Sequence, residues 1–141
     1  MIKILPLLFL IMSCSAPKEV TDNSFSVIYK SEMGGAEKPG HLLIQDNETY
    51  IQFIESLKLD ESEYAKFLAV DFKKKNVLVL YQVQKNSGGY EIGIESIRHK
   101  DQTIFVLKKE TGPKKGELAT SVITTPYCIA LIPKGDKIVI E

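Results

Sequence analysis

The sequence predicts an α+β domain, mostly antiparallel β-sheet or a small sandwich, carrying one or two short helices. Three observations lead there. From Val70 onward, apolar strand-like runs follow one another, separated by Gly, Pro and Asn turns. Only one stretch, around residues 46–57, switches clearly to helical spacing. No regular strand–helix–strand alternation of the kind that builds parallel sheets is present.

Residues 25–30 (Phe-Ser-Val-Ile-Tyr-Lys) are β-prone and predict a first strand. Gly34-Gly35 and Pro39-Gly40 mark residues 31–40 as a loop, and 41–45 as a second short strand. Asp46 or Asn47 is a suitable N-cap for a helix of about ten residues, with Tyr50, Ile51, Ile54 and Leu57 at helical spacing. Residues 59–68 are acidic, with Tyr64, Phe67 and Leu68 as apolar members, and predict a second short helix or an irregular arm. Residues 76–84 begin as a continuous apolar run, the mark of a strand covered on both faces. Asn86-Ser87-Gly88-Gly89 is turn chemistry, expected to close a hairpin onto 90–97. In that strand Tyr90, Ile92, Ile94 and Ile97 face one way, and Glu91 and Glu95 the other. A turn at 100–102, a strand at 103–109 and a loop at 111–117 follow. Strands at 119–123, 127–132 and 137–140 complete a set of about seven or eight. Pro126 and Pro133 belong at strand ends or a sheet edge, since proline cannot donate to a ladder.

The N-terminus has the pattern of a secretory signal. Lys3 supplies a positive start, residues 4–12 are almost wholly apolar, and small Ser13 precedes Cys14. The apolar run falls well short of the roughly 20 residues of a membrane-spanning helix. Ile11-Met12-Ser13-Cys14 resembles the lipobox of bacterial lipoproteins, with a bulky Met at its loose position. That resemblance implies removal of residues 1–13, a diacylglyceryl thioether on Cys14 and an acyl chain on its freed amine, enough for stable anchoring. Residues 14–24 are polar with one Pro, and are expected to be a flexible tether of at most about 35 Å. One domain, 25–141, is expected after it. The membrane partner is reached through lipid. The location implied is the bacterial cell envelope, on the outer membrane given Ser15 after the lipid cysteine, with the face left open.

Charge narrows the function classes. Eighteen basic and eighteen acidic side chains balance, which argues against nucleic acid as a partner. Of the two cysteines, Cys14 is assigned to lipid, so Cys128 has no intrachain partner and is expected as a small buried hydrophobe in an apolar strand. The two histidines, His41 and His99, stand apart and give neither a zinc-site spacing nor a triad signature. The acidic runs at 46–48 and 60–63 lack EF-hand spacing and suit helix starts. Lys73-Lys74-Lys75 and Lys114-Lys115 suit solvated turns. No catalytic residue, metal or cofactor is expected.

Asp71-Phe72, the apolar run after it, Ser87-Gly88-Gly89-Tyr90, and Thr124-Thr125-Pro126-Tyr127 with its Ile132-Pro133 ending stand in an order and spacing that resemble the PrcB C-terminal domain family. The similarity spans about residues 70–134, with Ser87 where the family often has Thr. The family is named for an accessory lipoprotein subunit that stabilises or helps assemble a bacterial surface protease complex. The resemblance therefore implies a non-enzymatic binding or assembly role in the envelope, with a protease complex as the partner it suggests. The candidate motif residues are Asp71, Gly88, Gly89, Tyr90, Thr125, Pro126 and Tyr127. Their chemistry suggests architecture first: Asp71 capping a bend, Gly88-Gly89 turning the chain, and Thr125-Pro126-Tyr127 starting a strand with a kink. Tyr90 and Tyr127 could instead form an aromatic contact patch. On that alternative the chain is a stand-alone surface module binding glycan or peptide ligands.

Overall fold

The computed structural model describes residues 20–22 and 24–141. The expected signal peptide (1–13), Cys14 and residues 15–19 of the expected tether lie outside the described residues. Eight strands and two helices follow in the order β1 (Val20–Asp22), β2 (Ser26–Ser31), β3 (Gly40–Ile44), α1 (Asn47–Ser56), α2 (Glu61–Tyr64), β4 (Lys75–Tyr81), β5 (Glu91–Lys100), β6 (Thr103–Thr111), β7 (Tyr127–Pro133) and β8 (Lys137–Ile140). They form two four-stranded sheets, β1-β5-β6-β8 and β2-β7-β4-β3. This is the small α+β sandwich expected, and every pairing is antiparallel except β6 with β8, which is parallel.

The second sheet is a middle layer. On one side Leu78 and Leu80 of β4 and Cys128, Ala130 and Ile132 of β7 meet Ile92, Ile97, Ile104 and Val106 of the first sheet. On the other side Val77, Val79, Tyr127 and Ile129 meet Tyr50 and Ile54 of α1 and the arm after it. Alternate side chains of a strand point to opposite faces, so a strand covered twice must be apolar at every position. That accounts for the unbroken runs at 77–80 and 127–132.

Two bulges adjust the facing. A register shift between Ile94 and Ser96 lets Ile94 and Ile97, three apart, both turn inward. Another between Val27 and Tyr29 sends Val27 to the inter-sheet core and Tyr29 to the helix side. The β5–β6 hairpin turns at Asp101, which has a φ of 54°. Between the sheets Gln82 donates to Glu110 (3.2 Å), whose other oxygen accepts from Lys108 Nζ at 2.7 Å. The Lys108 ammonium is the main reason the Glu110 carboxyl sits below its ordinary pKa.

Helix α1 begins where Asp46 accepts from the Thr49 amide at 2.8 Å. Of the apolar residues at helical spacing it buries Tyr50 and Ile54 and leaves Ile51 exposed. The arm holds the single-turn helix α2, capped by Asp60. Among the described residues no helix is long and apolar enough to cross a membrane.

Three expectations need correction. Residues 20–22, placed in the tether, form β1 along β5, pairing Val20 with His99 and Asp22 with Ile97. The edge of β5 offers unpaired backbone groups, and Val20-Thr21 is β-branched. Residues 119–123 form no strand. Leu118, Val122 and Ile123 all face solvent, so no sheet face is there to be buried, and the only ladder contact is one bridge between Lys85 and Thr124. Finally, the Gly88-Gly89 turn closes no hairpin. It carries the chain from β4 in one sheet to β5 in the other.

Replacing Leu80, 1% exposed in the inter-sheet core, by Ala should cost about 2–5 kcal/mol in urea unfolding with an unchanged slope. Burial pushes the Cys128 thiol up to about 11. In a Cys14→Ala chain at pH 8, a thiol reagent should find no reactive sulfur until denaturant is added; a native-state reaction would contradict the buried placement.

Candidate binding surface

Three irregular segments meet at the end of the sandwich where β4 stops and β7 starts: residues 32–37, 82–89 and 112–126. They are laced by backbone hydrogen bonds. Gln84 N donates to Glu37 O (3.1 Å), and Lys85 and Thr124 exchange N–H···O bonds at 2.9 Å each way. Gly88 N donates to Thr120 O (2.9 Å), Thr125 N to Glu32 O (2.8 Å) and Gln82 N to Pro126 O (2.9 Å). Loops can be this ordered when each backbone donor is matched away from a sheet.

Glu32 is the hub. Its backbone carbonyl holds Thr125, and its side chain accepts from the Gly89 amide at 3.0 Å. Gly89 has a φ of 85°, and a Cβ there would lie 2.9 Å from Pro113 Cγ, so glycine is required on two counts. A Cβ on Gly35 would collide with the Thr125 carbonyl oxygen, which accepts from Gly35 N at 3.0 Å. Buried Thr124 donates from its hydroxyl to the Ser87 carbonyl at 2.8 Å.

Of the motif residues, Gly88, Gly89, Tyr90, Thr125, Pro126 and Tyr127 come together here. Asp71 does not. It lies at the opposite end of β4, where its carboxylate accepts from the Lys73 amide (3.1 Å) and its carbonyl accepts from Lys74 and Lys75 N (3.0 Å each). It caps a bend there. Tyr127 is 2% exposed and packs against Tyr81 and Tyr29, with ring centroids 6.3 and 5.9 Å away. Burial, the main cause, pushes its phenol far above the ordinary value. Tyr127 is therefore a core ring rather than half of a surface patch. Tyr90 is half-buried, its ring against Gly112 and beneath Lys85 Nζ, 4.9 Å from the ring centroid.

What this scaffold presents is the stretch 117–123. Leu118 is fully exposed, and Val122 and Ile123 are 40% and 59% exposed. Beside them a groove of ≈ 370 Å³ runs between Glu32, Gly89, Pro113, Leu118 and Thr120. Side chains of this kind suit contact with another macromolecule. Sequence reasoning missed Glu32, Gly35 and Thr124. Glu32 acts on a residue 57 positions away, which no local pattern reveals. Thr124 could have been found, since it opens the Thr-x-Pro-Tyr motif. Among the described residues no cluster of three or more His, Cys, Asp or Glu could hold a metal ion.

No curated protein and no solved structure matches the chain. A family model does. It begins beyond Asp71, takes in the two inner strands of each sheet (β4 and β7, β5 and β6) and the loops joining them, and leaves out every edge strand and both helices. Residues 77–133 of this chain are similar to the family described as PrcB C-terminal.

Proposed function

We propose that this chain is a non-enzymatic, lipid-anchored module of the bacterial cell envelope, held on the outer membrane by Cys14. It binds a partner protein and stabilises or helps assemble that partner's complex, and a protease complex is the partner suggested by the family. The observation that carries this reading is the loop 117–123. Leu118, Val122 and Ile123 are exposed, yet the loop is pinned by Glu32, Gly88 and Thr124 and so offers apolar side chains at little ordering cost. The lipobox-like Ile11-Met12-Ser13-Cys14 and the PrcB C-terminal resemblance support the location and the accessory role. The glycan- or peptide-binding alternative has less support, because Tyr127 is buried and Lys85 covers Tyr90.

A mild-detergent pull-down of the tagged full-length protein from its own cells should bring one stoichiometric envelope protein. That protein should be lost from the Leu118→Ser/Ile123→Ser variant, whose circular dichroism should stay unchanged because both residues are exposed. The Cys14→Ala chain should leave the membrane fraction. Absence of any partner from membrane-bound, folded material would overturn the binding role. Membrane retention of Cys14→Ala would overturn the anchor separately. Glu32→Gln keeps an acceptor for Gly89 N but loses its charge, so it should weaken capture less than Glu32→Ala does, as read from partner yield.

A further inference from the structure

A second surface, on the far side of the middle sheet, points to the chemistry of a partner. Along α1, Glu48, Ile51 and Glu55 fall on one outward stripe, at spacings of three and four. Ile51 is 42% exposed, although its neighbours Tyr50 and Ile54 are buried. Across from it the arm exposes Tyr64 (45%) and Leu68 (71%). Between these two walls runs a groove of ≈ 230 Å³ floored by Tyr50, Ile54 and Phe67. The surroundings are acidic. Residues 46–68 carry Asp46, Glu48, Glu55, Asp60, Glu61 and Glu63 against Lys58 and Lys66, in a chain whose total charges balance. The capping bonds that Asp46 receives from Thr49, and Asp60 from Ser62 and Glu63, hold both carboxyls below their ordinary range, so they stay ionised.

We infer that this groove seats a basic amphipathic helix of a partner protein, with aliphatic side chains in the groove and lysines or arginines facing the acidic rim. Apolar anchors from a helix filling a groove are a recurrent docking mode, and a charged rim of one sign selects the opposite sign. A bilayer is a poor occupant. Anionic headgroups repel an acidic rim. The groove also opens away from the first sheet, whose edge strand β1 receives the N-terminal segment. The inference extends the protein-binding reading to a second surface and does not depend on the loop 117–123.

The test is fluorescence anisotropy of a labelled leucine–lysine amphipathic helical peptide titrated into the full chain carrying Cys14→Ala. Saturable binding should weaken about tenfold or more in Leu68→Glu and in Glu48→Lys/Glu55→Lys. It should fall with added salt, fail for a leucine–glutamate peptide of the same pattern, and stay unchanged in Leu118→Ser/Ile123→Ser. These side chains are exposed, so the variants should fold, which circular dichroism checks. Undiminished binding by Leu68→Glu, or loss of binding on altering the loop instead, would overturn the assignment. So would a Leu68-dependent dimer in sedimentation, which gives the groove to a second copy, or Leu68-dependent binding to phosphatidylglycerol vesicles, which gives it to a membrane. If the peptide binds as expected while the pull-down partner is retained by Leu118→Ser/Ile123→Ser, the groove stands and the loop reading falls.

Discussion

Everything in this fold depends on one sheet being buried from both sides. Strands β4 and β7 lie at the centre of the middle layer, and Val77, Leu78, Val79, Leu80, Cys128, Ile129 and Ala130 have almost no exposure. Two cores meet there back to back. Each removes apolar surface from water at roughly 25 cal/mol per Å², but neither could form without the sheet that divides them. The polar exceptions sit where the layer ends. Asn76 donates to Gly135 O (3.3 Å) beside one end of β4, and Gln82 reaches Glu110 beside the other. Burying such groups is costly unless they are paired, so they mark the limits of the apolar layer.

This constraint explains what was legible in the sequence. The unbroken run of β4 announced a strand covered on both faces, and the alternation of Ile92, Ile94 and Ile97 announced a sheet covered once. Helix α1 was legible from its cap and spacing, although spacing did not separate exposed Ile51 from buried Tyr50 and Ile54. The missed features share a physical cause. Strand β1 is three residues that exist because β5 has an edge to fill. Residues 119–123 have strand propensity but no face to cover. Gly88-Gly89 signals a turn, and turn chemistry does not say which sheet the next strand joins.

The candidate surface was legible only in part, for a similar reason. The glycines and the Thr-x-Pro-Tyr sequence were visible as motifs, but their role is to hold a neighbouring loop in place. The loop's exposed tip looked like one more strand. Glu32, which joins the Gly-Gly turn to the Thr-Pro-Tyr segment, stands in a stretch whose pattern marks only a loop. The family resemblance covers the inner strands and the 82–89 and 112–126 sides of this lacing, whereas Glu32, α1, the arm and β1 lie outside it. The matched stretch is thus mostly scaffold, with the helices and edge strands hung from it.

The order of strands in the first sheet has a mechanical consequence. Its two edges are the first and last strands among the described residues, β1 and β8, with β5 and β6 between them. A pull through the N-terminal segment therefore falls on three residues of edge pairing before it reaches any buried strand. Those few bonds can part and re-form while both cores remain closed. Under the proposed anchor at Cys14, this edge would give a slack of a few residues, taken up and paid out at one side of one sheet.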